Sequence, residues 1–548
     1  MTLARARAKE AAIPGKGWIA LILFAFLAFL PAFTVLPVMD RDEARFVQAS
    51  RQMVESGDYI DIRFQDEARH KKPVGIYWLQ SAAVLVSGQG AEAELWVYRL
   101  PSLAGAVLAV LLVAITGVPL IGRGPALMAA AVFAGGLVIG GEARIAKTDA
   151  ALLATILASQ AVLARLYLKP ATGQGPAFAF WLAIAAGVLI KGPIGPLVPA
   201  LTIATLAIID RRIDWLRPLL SPLPILVAIL LAAPWFVAIS LRSDGAFWWG
   251  SVGVDLLPKI ASGQEGKGAP PGSYLAMLWV AFWPATPLLV LTIPTIWRHR
   301  KQPATRFCLA WALPVWVLYE LIPTKLFHYT LPVFPALALL AIGHLPAALA
   351  TTRWWLSALA ALAILPGLAL GATVLSYALA AGNGPAPAWI TAIAIGGAAV
   401  AIGLAIWALT AKKPWLLVGS AAAAGAILHA GLFGAVARMP MLWPTDQAIA
   451  VAEQIAGSQT CGPPQLTGWG YTEPSLVWRG GRDTRLFPSS APADQVVRPG
   501  PCVVVVKDSK VQVADPIPGC DSAGTVEGLA IGAGRRVTLD IVDCRGAP

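Results

Sequence analysis

The stretch GWIALILFAFLAFLPAFTVLPVM, residues 17–39, contains no charged side chain and is long enough to cross the hydrocarbon core of a bilayer. Arg5, Arg7, Lys9 and Lys16 precede it. A secretory signal also starts with basic residues, but its apolar core is only about 7–15 residues and ends in a small-residue cleavage site. This block is longer and has no such site, so it predicts a retained first membrane helix with its N-terminus in the cytoplasm. Comparable blocks recur at approximately 95–120, 125–141, 150–168, 176–190, 195–209, 219–241, 273–297, 307–323, 327–346, 354–378, 388–410 and 414–436, thirteen in all with the first.

The composition agrees. The chain has 548 residues, of which 57% are hydrophobic and 13% charged, and a mean hydropathy of +0.68. A soluble chain carries roughly 25% charged residues. A soluble enzyme, a disordered scaffold and an ordinary DNA-binding module are thereby excluded, and a polytopic α-helical membrane protein is predicted. The formal net charge of +12 would suit nucleic acid, but the positions of the charges say otherwise. The connections assigned to the cytoplasm hold Arg123; Arg165 and Lys169; Arg211, Arg212 and Arg217; Arg298, Arg300, Lys301 and Arg306; Arg353; and Lys412 with Lys413. Lys and Arg near helix ends mark the cytoplasmic side. The basic excess is a topology signal, and no nucleic-acid partner is expected.

An odd number of spans places the tail, 437–548, on the far side of the membrane, the periplasm in a Gram-negative cell. It carries 10 Lys/Arg against 11 Asp/Glu, so the basic excess belongs to the membrane part, 1–436. It also holds Cys461, Cys502, Cys520 and Cys544. Four cysteines in a small exported domain predict two disulfides, with three pairings open. Strand-like segments at Cys502–Val506 and Arg536–Val542, separated by Gly/Pro-rich turns, predict a small α/β or mainly β domain. Trp469, Tyr471 and Trp478 fit either its core or a sugar-stacking surface. Cys308, inside a membrane block, reads as a packing residue.

The outer loops are unequal. The first spans 40–94 and another long one spans 242–272. Asp42-Glu43-Ala44-Arg45 opens a helical pattern in which Phe46, Val47, Met53 and Val54 share a face, and Gly57 is its predicted stop. Such a helix is expected to lie flat at the interface. His70-Lys71-Lys72-Pro73 then leads into an apolar-aromatic stretch. Shorter outer loops hold Glu142, Arg144, Lys147 and Asp149, then Lys191, then Lys325 through His328 and Tyr329. Any one of these cations could merely snorkel. Cations and carboxylates gathered on one face of the membrane suit a lipid-linked phosphate substrate.

Six motifs carry a resemblance: Asp42-Glu43-Ala44-Arg45; Glu55-Ser56-Gly57-Asp58; Lys72-Pro73 with Tyr77-Trp78; Ala143-Arg144 with Asp149; Lys191-Gly192-Pro193; and Lys325 through His328-Tyr329 to Leu331-Pro332. In this order and spacing the chain, over about 1–345, resembles the aminoarabinose transferase-like proteins of the protein-O-mannosyltransferase group, membrane glycosyltransferases of the GT-C fold. The resemblance implies about thirteen transmembrane helices, interfacial helices in the first periplasmic loop and an exported C-terminal domain. It implies an inverting transfer of sugar from a polyprenyl (undecaprenyl) phosphate to lipid A, another glycan or a protein hydroxyl at the periplasmic face of the inner membrane. A monomer is expected, with the membrane lipids around it and no required cofactor.

The family's pattern assigns Asp42 as the base that takes the acceptor proton, with Glu43 beside it. It assigns Arg45 and Lys72 to the donor phosphate, where fixed cations meet the charge that develops on the leaving group. Lys325 and Tyr329 are further phosphate candidates, and Lys71, Tyr77, Arg144, Asp149, Lys191 and His328 candidate substrate contacts. One position departs from the family. Where aminoarabinose transferases read Glu-Lys-Pro, this chain reads Lys71-Lys72-Pro73. The missing acidic residue belongs with the position of Asp149 in a structural metal site, and a cation there would repel a divalent ion. No metal is therefore assigned, an ion pair between Lys71 and Asp149 is expected in its place, and the sugar stays open, an acidic one included. Transport is the rival reading. Transporters show internal repeats and midplane charges, whereas this chain has no repeat and carries its charges at helix ends.

Overall fold

The computed structural model describes residues 13–544 except 170–172, 262–267, 352, 381–387, 458–463, 498–502, 514–516 and 518. Most of the chain is helical, and the C-terminal part closes on a small mixed sheet. Six described helices are long and apolar enough to cross a membrane: Leu95–Ile121, Asp149–Leu168, Pro222–Arg242, Leu331–Thr351, Trp354–Thr373 and Pro414–Val436. Shorter apolar helices, such as Gly15–Phe29, Gly175–Lys191 and Ile194–Asp210, pack among them. Leu223, Leu226, Ile229, Leu230, Val237 and Leu241 on Pro222–Arg242 are all exposed, an apolar face suited to lipid.

Thirteen unbroken spans are not what the helix lengths give. The first block is helical only over Gly15–Phe29 and breaks at Pro31, and the block at 125–141 breaks at Gly135-Gly136 into Arg123–Ala134 and Leu137–Glu142. The block at 273–297 splits into Ser273–Ala281 and Thr286–Arg298. The cause is local: proline removes an amide donor and glycine loosens the backbone, and neither changes a hydropathy average.

Two glycines set helix spacing near the site. A Cβ on Gly105 would stand 2.7 Å from the Ala151 backbone, so Leu95–Ile121 and Asp149–Leu168 cross there at backbone contact. A Cβ on Gly75 would stand 2.7 Å from the Leu189 carbonyl, which brings the start of the helix Gly75–Ser87 onto the end of Gly175–Lys191. Lys72 and Lys191 become neighbours as a result.

The predicted loop helix forms over Asp42–Ser56 and stops at Gly57, whose φ of 70° and N–H bond to Met53 are a left-handed helix end. It is covered on more than its apolar face: Glu43, Gln48, Ser50 and Gln52 are buried together with Phe46, Val47 and Met53. The apolar helix Gly75–Ser87 packs on one side, and the C-terminal helix Pro474–Gly480 on another.

The C-terminal sheet orders its strands Arg485–Phe487, Gln465–Trp469, Val503–Asp508, Arg535–Asp543, Asp521–Ala530. The first three run parallel, and the last two form an antiparallel hairpin joined to them. Its core contains Leu466, Tyr471, Val504, Val506, Leu539 and Ile541. Trp469, Tyr471 and Trp478 are all buried, which resolves them as packing residues, with Trp478 edge-on to Tyr98 at 5.3 Å. Cys520 is bonded to Cys544. Cys461 and Cys502 lie outside the described residues.

Candidate functional site

Asp149 is the first residue of the helix Asp149–Leu168, and Lys191 the last of Gly175–Lys191. A carboxylate at a helix N-terminus and an ammonium at a C-terminus are each favoured by the helix dipole. Here they meet: Lys191 Nζ lies 2.5 Å from Asp149 Oδ1. Lys147 adds a second cation, 3.1 Å from Glu142 and 3.8 Å from Asp149. His328 sits between the two carboxylates, 3.7 Å from Glu142 and 3.6 Å from Asp149. Burial pushes the His328 imidazole down, against the pull of Asp149, with Lys147 and Lys191 adding to the effect. The partner of Asp149 is thus Lys191, where Lys71 was expected.

Around this pair lies a cavity lined by seven cationic side chains, Arg45, Arg69, Lys71, Lys72, Lys147, Lys191 and Lys259, against three carboxylates, Asp42, Asp149 and Asp255. Asp42 and Arg45, three apart, present from the first turn of Asp42–Ser56. Phe46, Thr148, Thr324, Leu326, His328 and Tyr329 complete the wall. The formal surplus of positive charge suits an anion. Lys72 Nζ bonds Asp255 at 2.5 Å, and burial pulls its ammonium down to about 8, with Asp255 opposing.

A second cavity of about 360 Å³ adjoins the first and shares Lys71, Lys72, Lys191 and Asp255 with it. Its remaining wall is chiefly apolar, with Pro73, Val188, Ile194, Phe236, Phe247, Trp248, Val252 and Leu256. A charged chamber therefore opens into an apolar groove through one set of lysines.

Four of the expected site residues are placed elsewhere. Glu43 is fully buried, and its oxygens accept from Arg99 Nε (2.8 Å) and Nη2 (3.0 Å) and from the N–H groups of Met39 (2.8 Å) and Ala146 (2.7 Å). Successive helical residues point about 100° apart, so Asp42 at the cavity sends Glu43 into the core. Lys325 donates to the carbonyls of Tyr319 (3.0 Å), Glu320 (2.9 Å) and Ile322, capping the helix Pro303–Leu321. Arg144 donates to Ala28 (2.6 Å), Pro31 (2.8 Å) and Gly140 (2.5 Å) and stacks over Phe433. Tyr77 is buried behind the wall against Phe46, 5.3 Å between ring centres.

Sequence reading missed Arg69, Asp255 and Lys259. Arg69 follows the short hairpin Arg63–Phe64/Glu67–Ala68 and lies over Phe46. The i,i+4 spacing of Asp255 and Lys259 inside the second long loop was the available signal. A divalent metal does not fit at Asp149, because ammonium groups already face its carboxylate. Glu142, Asp149 and His328 stand together, but Lys147 and Lys191 already face the two carboxylates, and among the described residues no group of three His, Cys, Asp or Glu is arranged to hold a metal ion.

The fold matches a solved one. The structure superposes on the crystal structure of ArnT from Cupriavidus metallidurans bound to undecaprenyl phosphate with a TM-score of 0.72 at 18% identity, covering 96% of this chain and 98% of that one. The apo form of the same protein gives 0.67 at 20% identity. This is an ArnT-like membrane fold, and residues 71–238 match the family model described as dolichyl-phosphate-mannose-protein mannosyltransferase. The likeness to ArnT-like proteins expected from the sequence recurs in these comparisons. Among curated proteins, the chain is similar to the undecaprenyl phosphate-alpha-4-amino-4-deoxy-L-arabinose arabinosyl transferase of Pectobacterium carotovorum subsp. carotovorum, 29% identical over 331 residues. The protein of that name from Aeromonas hydrophila is 29% identical over 332 residues. The aligned part spans 58% of the first relative's length and 59% of the second's.

Proposed function

We propose that this chain is an inverting glycosyltransferase that moves a sugar from a polyprenyl phosphate to an envelope acceptor such as lipid A. The observation that carries the reading is the shared lysine set: Lys71, Lys72 and Lys191 stand where the cation-rich chamber meets the apolar groove. A polyprenyl-phosphate sugar has that division, with an isoprenoid tail for the groove, a phosphate for the lysines and a sugar for the chamber.

Transfer breaks the bond between the anomeric carbon and the phosphate oxygen, and the electron pair leaves with the lipid phosphate. Lys72, Arg45 and Lys191 face that charge in a partly desolvated site, where fixed cations act most strongly on the developing anion. The acceptor oxygen attacks from the opposite side, which inverts the anomeric centre. If the acceptor is a hydroxyl, its proton passes to Asp42. No step requires a metal. Glu43, Arg144 and Lys325 support the site from behind, while Tyr329 and His328 shape its wall. The description of the matching family model favours a second acceptor class, protein hydroxyls.

In this reading residues 1–436 are the catalytic membrane part, with thirteen spans when the broken blocks are counted whole, and 437–548 a periplasmic domain. The N-terminus is cytoplasmic and the site faces the periplasm of the inner membrane. The test is turnover in proteoliposomes supplied with polyprenyl-phosphate sugars and envelope acceptors extracted from a deletion strain. Release of free undecaprenyl phosphate, followed by mass spectrometry, supports the reading; no release from any extract contradicts it.

A further inference from the structure

A carboxylate stands against Lys72, one of the lysines that the proposed donor phosphate needs. Asp255 Oδ2 accepts from Lys72 at 2.5 Å and its Oδ1 from Lys259 at 2.6 Å, and its side chain is only 6% exposed. It is carried by residues Trp249–Leu256, one of the rare π-helical turns, which recur at functional sites. The segment is fastened beside the lysines: a Cβ on Gly250 would stand 2.8 Å from the His70 carbonyl, and the His70 ring bonds Asp61 and lies edge-on to Phe247. Asp255 lines both the charged chamber and the apolar groove, the junction at which a lipid phosphate would lodge.

We propose that Asp255 is an internal counter-ion that occupies the phosphate's place between Lys72 and Lys259 and competes with it, thereby speeding release of the spent polyprenyl phosphate. The proposal rests on the transferase reading above. The donor is a phosphodiester with one negative charge. The spent carrier is a monoester with up to two, so it is the tighter ligand for a lysine pair and the one whose departure most needs help. A carboxylate tethered at the same cations returns to them as the phosphate leaves, so the partly buried lysines are never left without a counter-charge. A residue that merely holds Lys72 in position would act in the opposite direction, since its loss would weaken phosphate binding.

The sign of one binding change decides between the two. Undecaprenyl phosphate binding is measured on the full-length protein in nanodiscs of neutral lipid, for wild type, Asp255→Asn, Asp255→Glu and Lys72→Ala. Asp255→Asn is expected to bind about tenfold tighter than wild type, as charge competition at a desolvated pair predicts. Its inhibition by added undecaprenyl phosphate should strengthen in step. Asp255→Glu keeps the charge and stays near wild type, and Lys72→Ala binds more weakly. Wild-type binding with no gain in Asp255→Asn, or weakened binding in both Asp255 variants, overturns the counter-ion while the transferase reading stands. A folded wild-type protein that does not bind undecaprenyl phosphate overturns both.

Discussion

Glu43 and Arg99, 56 residues apart in the chain, form a fully buried two-pronged ion pair at 2.8 and 3.0 Å. Through it the helix that carries Asp42 is bolted to the span Leu95–Ile121, and Arg99 reaches on to the carbonyls of Phe33, Leu36 and Pro37. Glu43 also takes the Ala146 N–H, which ties in the loop that ends at Asp149. The pair thus sets the distance between the two carboxylate-bearing walls of the chamber.

Removing one partner of such a pair leaves the other charge buried, at a cost of about 3–5 kcal/mol. Glu43→Ala is therefore expected to lower the melting temperature of the purified protein sharply, whereas Asp42→Asn should melt like wild type and lose transfer. Equal melting of Glu43→Ala and wild type would contradict the structural role assigned to Glu43.

Lys72 should make the proposed donor step sensitive to alkaline pH. Burial pulls its ammonium down to about 8, with Asp255 opposing. The cation is the form that meets phosphate, so kcat/KM for the donor should be flat below this value and fall as pH rises through about 8. Lys72→Arg keeps its charge throughout, and its profile should lose that falling limb whatever its absolute rate.

The C-terminal domain grips the loop just ahead of Asp42. Asp40 accepts from the Ser475 N–H at 3.2 Å, and Arg41 lies 3.7 Å from Glu473. Burial, with Glu473 adding repulsion, pushes the Asp40 carboxyl from 3.8 up to about 7. Between those values the docked form holds a proton that the undocked form has lost, so docking weakens as pH rises from about 4 to 7 and is then level. Hydrogen exchange over residues 40–57 should quicken across that window in wild type and become pH-independent, apart from the intrinsic rate, in Asp40→Asn.

Cys520 and Cys544 close a loop of 24 residues across the C-terminal hairpin. A cross-link of that span contributes about 3 kcal/mol by the chain-entropy account. The double Cys520→Ser, Cys544→Ser variant should lower the domain's unfolding midpoint accordingly, read from protease resistance of the tail in intact membranes.

Much of this site was legible because helix ends announce themselves. Asp42 and Gly57 bracket a helix by ordinary start and stop chemistry, and Asp149 and Lys191 fall at helix termini whose dipoles favour them. What a sequence does not carry is the direction of a side chain. Glu43 and Asp42 have the same chemistry and are adjacent, yet one faces the chamber and the other the core. Arg144 and Lys325 look like substrate cations until the carbonyls they satisfy come into view. Asp255 escaped notice because its meaning depends on Lys72, 183 residues away. The breaks within the blocks were not legible because a hydropathy average passes over Pro31 and Gly135-Gly136.

The central claim is that the cation-rich chamber spends a polyprenyl-phosphate sugar with Asp42 at the acceptor. It is tested most directly by mass spectrometry of envelope lipids and glycans from a deletion strain complemented with the wild-type gene or with Asp42→Asn. The account predicts that one envelope lipid or glycan lacks a sugar in both the deletion and the Asp42→Asn strain, that the matching polyprenyl-phosphate sugar accumulates in both, and that the wild-type gene reverses the two changes. Full restoration by Asp42→Asn, or an envelope unchanged by the deletion, would contradict it.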